Sequence, residues 1–346
     1  MIKINRNIKV ALTYIGAVIG AGFASGQELV KFFGVFQEKG LWGTLLAGIS
    51  FALLGSLIIV IVNKTKVTNY GQLVKVLFPE KLEKIFEILI ALFLWVGLGV
   101  MFVGSIELLK SQFNLALVGG FLFTAGAIYL SLVFGSEGLM NVNTLLVPFL
   151  LIIAVVSSLM YINSPLECFS LDTVLGTLIP NWWVGSLNYV AYNIILAIVV
   201  LASIGEENKR ISPISGLLGG LTLGTMAFVM VKGMLHLPQT LLITEMPMLH
   251  LTKAVNQVMG LLYSLALWIA LFTTALANAH SLTKRMAAKT YLSYKKVLFL
   301  VIVSTVIFIP WNFSILVGVV YPLLGYLGIP LIIAIFIELP GLLFKK

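Results

Sequence analysis

The sequence has little charge and almost no cysteine. Charged residues make up 10% of the chain, whereas roughly a quarter of a soluble globular protein is charged. Water is therefore excluded as the main solvent of the folded chain. The one cysteine, Cys168, excludes an internal disulfide framework and a cysteine-based metal cluster. Three histidines, His236, His250 and His280, are scattered along the chain and indicate no metal site.

Hydrophobic residues dominate instead, at 60% of the 346 residues. Runs of about 20 apolar residues are long enough to cross a hydrocarbon core. Short polar breaks separate them, so the sequence predicts an all-α integral membrane protein and one transmembrane domain over residues 1–346. The basic start Met1–Lys9 precedes a span that we expect to be retained. About ten spans are predicted: Ile8–Phe36, Leu41–Val62, Ile85–Leu109, Leu115–Phe134, Thr144–Ile162, Val184–Ile204, Ile211–Met234, Val255–Ala279, Val297–Ile309 and Ile315–Phe344.

The net charge of +9 is distributed between the spans and not along one soluble face, which argues against nucleic acid as a partner. Cytoplasmic loops of membrane proteins are enriched in lysine and arginine. With both termini placed inside, 17 of the 22 basic residues fall in inner segments. The sequence therefore predicts a multi-pass protein of a bacterial-type inner membrane, with both termini cytoplasmic and the lipid bilayer as its surroundings.

Ten spans divide into two sets of five, at about 8–162 and about 184–344. Because five is an odd number, the second set must have the opposite orientation in the membrane. Such inverted repeats commonly have a broken first helix in each half, near the bilayer midplane. We therefore expect helices 1 and 6 to be broken.

The first span carries four glycines, Gly16, Gly20, Gly22 and Gly26. Each glycine costs a helix about 1 kcal/mol relative to alanine. Close helix packing between small residues is one explanation. The other is an unwound segment around Ile19–Gly22, whose free carbonyls coordinate a cation and whose free amides hold a carboxylate.

The stretch from Gly16 to Glu28, GAVIGAGFASGQE, resembles the first-helix signature of the YkvI-like amino-acid permeases. This family is a branch of the amino acid-polyamine-organocation superfamily. The resemblance extends over the whole chain in length and span count. It implies the leucine-transporter-type fold, two inverted five-helix repeats that form a single transporter domain.

The resemblance also implies a sodium site between the broken first helix and the eighth span. By position, the carbonyls of Gly16, Ile19 and Ala270 and the hydroxyls of Thr273 and Thr274 would bind the ion. Five neutral oxygens suit a hard monovalent cation. Alternatively, the two threonines bond back to the preceding turn of their own helix. The fifth span lacks the lysine that replaces sodium in some proton-coupled relatives, which favours sodium.

The sixth span has a polar middle, Asn188 to Asn193, that resembles the aromatic-Ala-Tyr element of the superfamily but has Asn193 where a glycine usually follows. Tyr192 and Asn193 either contact solute or bond between helices. We assign solute binding to the surroundings of the first break, to the third span and to this element. The assigned residues are Ala17, Val18, Gly20, Ala21, Gly22, Phe23, Met101, Tyr189, Tyr192 and Asn193.

Glu28 follows the glycines of the first span, and a carboxylate within the membrane indicates a functional group. It could carry a proton, bind a substrate amine, or pair with Lys31 three residues later on the same helical face. The sequence leaves these three roles open.

These features predict a secondary active transporter, a sodium-coupled symporter of an amino acid or a similar small organic solute. A proton-coupled permease of the same fold and a non-transporting solute receptor are the alternatives. No pair of a nucleophile and a base, and no pair of carboxylates, is present at membrane depth, so an enzyme is not expected. We expect no cofactor besides Na⁺ and no obligate protein partner.

Overall fold

A computed structural model describes residues 6–134, 137–164, 178–204 and 211–344. Several residues used to predict the topology lie outside these ranges, among them Lys3, Lys209, Arg210, Lys345 and Lys346. Within the described ranges, every regular element is helical. The helices are α1 Arg6–Val18, α2 Ala21–Ser25, α3 Gln27–Phe32, α4 Glu38–Thr65, α5 Tyr70–Leu77, α6 Glu80–Phe113, α7 Leu117–Phe134, α8 Glu137–Tyr161, α9 Trp182–Ser203, α10 Ile214–Met234, α11 Gln239–Leu242, α12 Pro247–Val255, α13 Gln257–Ala287, α14 Tyr294–Ser304, α15 Phe313–Ile315 and α16 Tyr321–Phe344.

The chain is a multi-span membrane protein, because seven helical segments are long and apolar enough to cross a bilayer. They correspond to α4, α6, α7, α9, α10, α13 and the segment Phe313–Glu338. The other three predicted spans are shorter or interrupted. The first is divided into α1, α2 and α3, the fifth is α8 with Pro148 inside it, and the ninth is α14 with a 3-10 turn at Thr305–Phe308. A total of about ten spans remains a prediction.

The expected break in the sixth span is wrong, because α9 runs without interruption from Trp182 to Ser203. Asn193 explains the difference, because the family that this element resembles usually has a glycine at that position. The side-chain amide of Asn193 donates to the Tyr189 carbonyl one turn earlier, at 3.0 Å, within a helix that remains closed. Gly185 is the one glycine of α9 and lies in its first turn, so the polar middle has no residue that favours unwinding.

Two groups of packed helices organise the molecule. One group contains α1, α4, α9 and α10, and the other contains α6, α7, α13 and α14. The first group consists of the first and second spans of each half. The second group consists of the third and fourth spans of each half. This is the arrangement that two related five-span repeats would produce, and the inverted repeat itself stays a prediction.

Helices α4 and α10 approach closely because glycines line their contact. A Cβ on Gly220 would lie 2.0 Å from the Ala52 nitrogen, and a Cβ on Gly224 would lie 2.5 Å from the Gly48 Cα. Both contacts are with backbone atoms, which cannot move aside as a flexible side chain can. Small residues allow such packing between membrane helices, where water-driven burial is absent.

We therefore expect Gly220→Ala to force α4 and α10 apart. The free energy of unfolding should fall by about 1–3 kcal/mol, the usual effect of overpacking, and thermal denaturation in detergent measures the loss. Gly126→Ala in α7 is the matched control, because among the described residues no atom beyond the adjacent backbone of α7 lies within 4 Å of a Cβ at that position. Equal stability of the two variants would contradict this account of the contact.

Candidate functional site

The first span is interrupted where its glycines predicted. Helix α1 ends at Val18 and α2 begins at Ala21. Gly20 has extended backbone angles, φ −99° and ψ −178°, and its N–H turns back to the Val18 carbonyl at 3.0 Å. The predicted break is confirmed, although it is shorter than expected because Gly22 is already helical.

The interruption releases backbone carbonyls. Within the described part of the chain, no backbone N–H donates to the carbonyls of Gly16, Ala17 or Ile19. Each of these oxygens would accept a bond in a continuous helix. Two of them, from Gly16 and Ile19, belong to the predicted sodium site.

A second interruption, which the sequence did not reveal, follows at Gly26 between α2 and α3. Gly26 is in the left-handed region, with φ 85°, and a Cβ there would lie 2.8 Å from the Met234 sulfur. Only glycine meets both conditions without strain. The turn re-aims α3 and with it the side chain of Glu28.

Glu28 brings three predicted site residues together. Its side chain is only 4% exposed, and its carboxylate accepts a hydrogen bond from the Tyr192 hydroxyl of α9. On the other side, a Cβ on Gly22 would lie 2.0 Å from Glu28 Oε1. Gly22 thus provides the space that the carboxyl group occupies.

Aromatic rings surround this contact. The Tyr192 ring lies 5.5 Å from Tyr189, 5.2 Å from Tyr321, 5.5 Å from Phe32 and 6.3 Å from Phe93, between ring centroids. We call these five residues the aromatic cluster. The sequence did not single out Phe32, Phe93 or Tyr321, because no local pattern distinguishes them from other aromatic residues of the spans.

Neither asparagine of the sixth span is directed at this contact. Asn193 bonds within α9, as described above. The side-chain amide of Asn188 donates to the Pro322 carbonyl at 3.0 Å and joins α9 to α16. Of the polar residues in this element, Tyr192 donates a hydrogen bond to Glu28 of the first span, and Tyr189 packs against Phe32 and Phe33.

The outer end of the first span is covered by the connection between α10 and α13. The Gln27 side-chain amide donates to the Thr244 carbonyl, and the Tyr263 hydroxyl donates to the Ala24 carbonyl. Met248 of α12 lies against Gly26. Three elements therefore close over α2 and α3 on the side predicted to be external.

Lys31 lies near a different carboxylate from the one predicted for it. Glu245, in the α11–α12 connection, interacts electrostatically with Lys31. Its Oε2 also accepts the Ser314 N–H at 2.5 Å. Burial raises the pKa of Glu245 above its usual value. Glu28, by contrast, turns to Tyr192.

On the other side of the break, α1 presents small residues that are not covered. Thr13, Gly16, Ala17 and Gly20 are at least partly exposed, and they lie three or four residues apart on one helical face. In the part of the chain that the structure describes, no atom beyond the adjacent backbone lies within 4 Å of a Cβ placed on Gly16 or Gly20. This face of α1 is therefore uncovered next to the break.

Helix α13 carries a similar stripe at its inner end, formed by Thr274, Ala277, Asn278 and Ser281, all half-buried. Leu265 is exposed and belongs to the apolar outer half of the same helix. Nine residues separate Leu265 from Thr274, which is two and a half helical turns. The stripe therefore lies on the opposite side of α13 from Leu265, and its Asn278 faces Gly97 of α6.

Of the predicted sodium ligands of the eighth span, Thr274 belongs to this stripe, and Ala270 and Thr273 are buried. The Thr273 hydroxyl donates to the Ile269 carbonyl at 2.8 Å and to the Ala270 carbonyl at 3.3 Å, the self-bonding that the alternative interpretation describes. A hydroxyl that donates still has lone pairs for a cation. The sodium site stays a prediction.

The remaining predicted solute-binding residues lie on α1, α2 and α6. They are buried, except for the half-buried Ala17 and Gly20. The buried members are Val18, Ala21, Phe23 and Met101.

Comparison with other proteins supports the fold. No protein-family model matches the chain. The chain is 26% identical over 333 residues to the uncharacterized membrane protein YkvI of Bacillus subtilis strain 168, covering 94% of this chain and 93% of that protein. It is also 26% identical over 331 residues to the uncharacterized protein YyaD of the same strain, covering 95% of each.

Solved transporters share the architecture at low sequence identity. The inward-facing conformation of Mhp1 matches with a TM-score of 0.66 and 12% identity, over 96% of this chain and 75% of that one. A Na⁺-coupled sialic acid symporter matches with a TM-score of 0.57 and 14% identity, over 88% and 71%. A mutant of the Eremococcus coleocola manganese transporter also gives 0.57 and 14%, over 86% and 69%. The expected transporter fold is confirmed, and the amino-acid permease family stays a prediction.

Proposed function

We propose that this protein is a secondary active transporter of a small organic solute. The proposal rests on the difference between the outer and the inner side of the broken first span. Its outer part is covered by the α10–α13 connection, whereas the small-residue face of α1 is at least partly exposed and the polar face of α13 is half-buried at the end predicted to be cytoplasmic. A site closed on one side and open on the other is what alternating access requires.

We propose an amino acid or a similar solute as substrate, with Na⁺ as the driving ion. The free carbonyls of Gly16 and Ile19 supply oxygen ligands of the kind a hard monovalent cation binds. The residues around the break, together with Tyr189 and Tyr192, are the proposed solute contacts. The sodium coupling of one structural neighbour agrees with this assignment. The proposed location is the inner membrane, with both termini cytoplasmic.

Glu28 favours one second candidate, a proton-coupled permease. A buried carboxyl group that accepts a hydrogen bond from a tyrosine can take up and release a proton at membrane depth. The two candidates differ in the gradient that drives uptake, and the same experiment separates them.

The test is uptake of a panel of labelled amino acids, amines and nucleobases into proteoliposomes that contain the full chain. We expect accumulation of at least one solute when a sodium gradient is imposed, and none in protein-free vesicles. Accumulation driven by a pH gradient but never by sodium would select the proton-coupled permease. Saturable solute binding without flux under either gradient would identify a receptor and overturn the proposal.

A second experiment tests the inner passage. In a Cys168→Ser background, Ser281→Cys should react rapidly with a charged thiol reagent supplied from the cytoplasmic side, because its face of α13 is accessible to water. Leu265→Cys is the matched control on the lipid-facing side of α13, where a charged reagent does not enter. Equal protection of both cysteines would contradict an open inner passage.

A further inference from the structure

The carboxyl group of Glu28 lies in the closed half of the site with little space around it. Gly22 and the Tyr192 hydroxyl are in contact with its two oxygens, Oε1 and Oε2 respectively. Tyr192 is itself packed among the other members of the aromatic cluster. An amine-bearing solute or a hydrated cation has no room beside Glu28 in this conformation, whereas a proton needs none.

An ionised carboxylate is strongly disfavoured in these surroundings. Burial removes its hydration, and one tyrosine hydroxyl donor does not replace what water supplied. Protonation removes the charge and preserves the hydrogen bond from Tyr192 to the carboxyl group. The closed arrangement of α2, α3 and α9 is therefore compatible with the neutral acid.

The surrounding elements supply few other titratable groups. Tyr189 and Tyr192 of α9 and Tyr321 of α16 are the phenols that lie close enough to Glu28 to interact with it electrostatically. Helix α2 and the turn Gly34–Phe36 carry no titratable residue. Helix α10 turns Met234 toward this region, and its Lys232 is exposed. Lys31 lies on α3 itself, next to Glu245.

We propose that Glu28 is a proton-binding site that fills when the outer half of the transporter closes. The proton comes from the external solution, forms the carboxyl O–H bond, and returns to that solution when the outer half opens. This inference rests on the proposed transport function and deepens it, because it makes outer closure depend on external pH. Because the closed form holds one proton more than the open form, raising the pH opposes closure.

A reporter cysteine on the closed half measures this equilibrium. Val317 is fully buried in the segment Leu316–Val320, which packs against α3. In a Cys168→Ser background, Val317→Cys should react with an external, membrane-impermeant thiol reagent only when the outer half opens. Thiolate reactivity also rises with pH, so the same reporter in a Glu28→Gln protein supplies the reference.

We expect the reporter with native Glu28 to react faster as pH rises, by up to about tenfold per pH unit beyond the Glu28→Gln reference. Glutamine keeps the shape of the neutral acid and accepts from Tyr192, so the reference should stay closed. Glu107→Gln should retain the full pH response, because Glu107 lies partly exposed beside Lys110 at 3.7 Å. The proposal would be overturned if reactivity rose with pH equally in the native chain and in Glu28→Gln, or if the excess response disappeared in Glu245→Gln.

Infrared spectroscopy gives a readout that needs no transport. The full chain in lipid vesicles at neutral pH should show the C=O stretch of a protonated carboxyl group that is absent from Glu28→Gln and shifted in Tyr192→Phe. Identical spectra for the native chain and Glu28→Gln would refute the proton site. If the band is present but no solute flux is found, the proton site stands and the transport function fails.

Discussion

Gly22→Val is expected to insert into the membrane and to lose most of its solute binding. Valine is apolar and compatible with a span, but its Cβ would lie 2.0 Å from Oε1 and 2.8 Å from Cδ of Glu28. Either the carboxyl group leaves the Tyr192 hydroxyl or α2 moves away from α3. Overpacking of about 1–3 kcal/mol corresponds to roughly a fivefold to hundredfold weaker affinity, which a binding assay with the identified solute measures.

A double-mutant cycle shows whether the effect acts through Glu28. In a Glu28→Ala background the side chain that overlaps the new Cβ is gone, so adding Gly22→Val should have little further effect on thermal stability. Gly126→Ala serves as a control for a methyl group added to a membrane helix at an open position. Full solute binding by Gly22→Val alone would place the solute site elsewhere.

Thr273→Val combined with Thr274→Val is expected to abolish sodium-dependent solute binding. Valine preserves shape and removes the hydroxyl oxygens. An oxygen that contacts a charge contributes about 1.5–3 kcal/mol, which is roughly tenfold or more in sodium affinity for each ligand lost. Sodium and solute must strengthen each other by the same factor, so both effects should disappear together. Isothermal titration of each ligand in the presence of the other measures the coupling.

The chain offers a matched control for this pair. Thr222 and Thr225 of α10 are also bonded to carbonyls of their own helix, each at 2.8 Å, and are exposed. Thr222→Val with Thr225→Val removes two similar hydroxyls and should leave the coupling intact. Undiminished sodium dependence in the Thr273 and Thr274 variant would refute the site, and the Thr273 hydroxyl would then be explained by its hydrogen bonds within α13.

Local sequence signals predicted the first break well and the sixth span badly. Four glycines within one span weaken a helix whatever surrounds it, so the interruption after Val18 could be predicted without a fold. The break in the sixth span was expected because inverted repeats commonly have a broken first helix in each half, but the polar middle of this span has Asn193 and no glycine. Because the Asn193 side chain bonds within its own helix, α9 stays intact.

Composition and periodic apolar runs determined that this protein is helical and embedded in a membrane, since no other solvent suits a chain with so few charges. They also located the weak point of the first span, because glycine acts on the backbone locally. Only the tertiary structure decided what surrounds that point. Glu28 and Tyr192 are 164 residues apart in the chain, and the left-handed turn at Gly26 brings them into contact. Local sequence patterns cannot predict such a contact, because it depends on how α3 and α9 pack together.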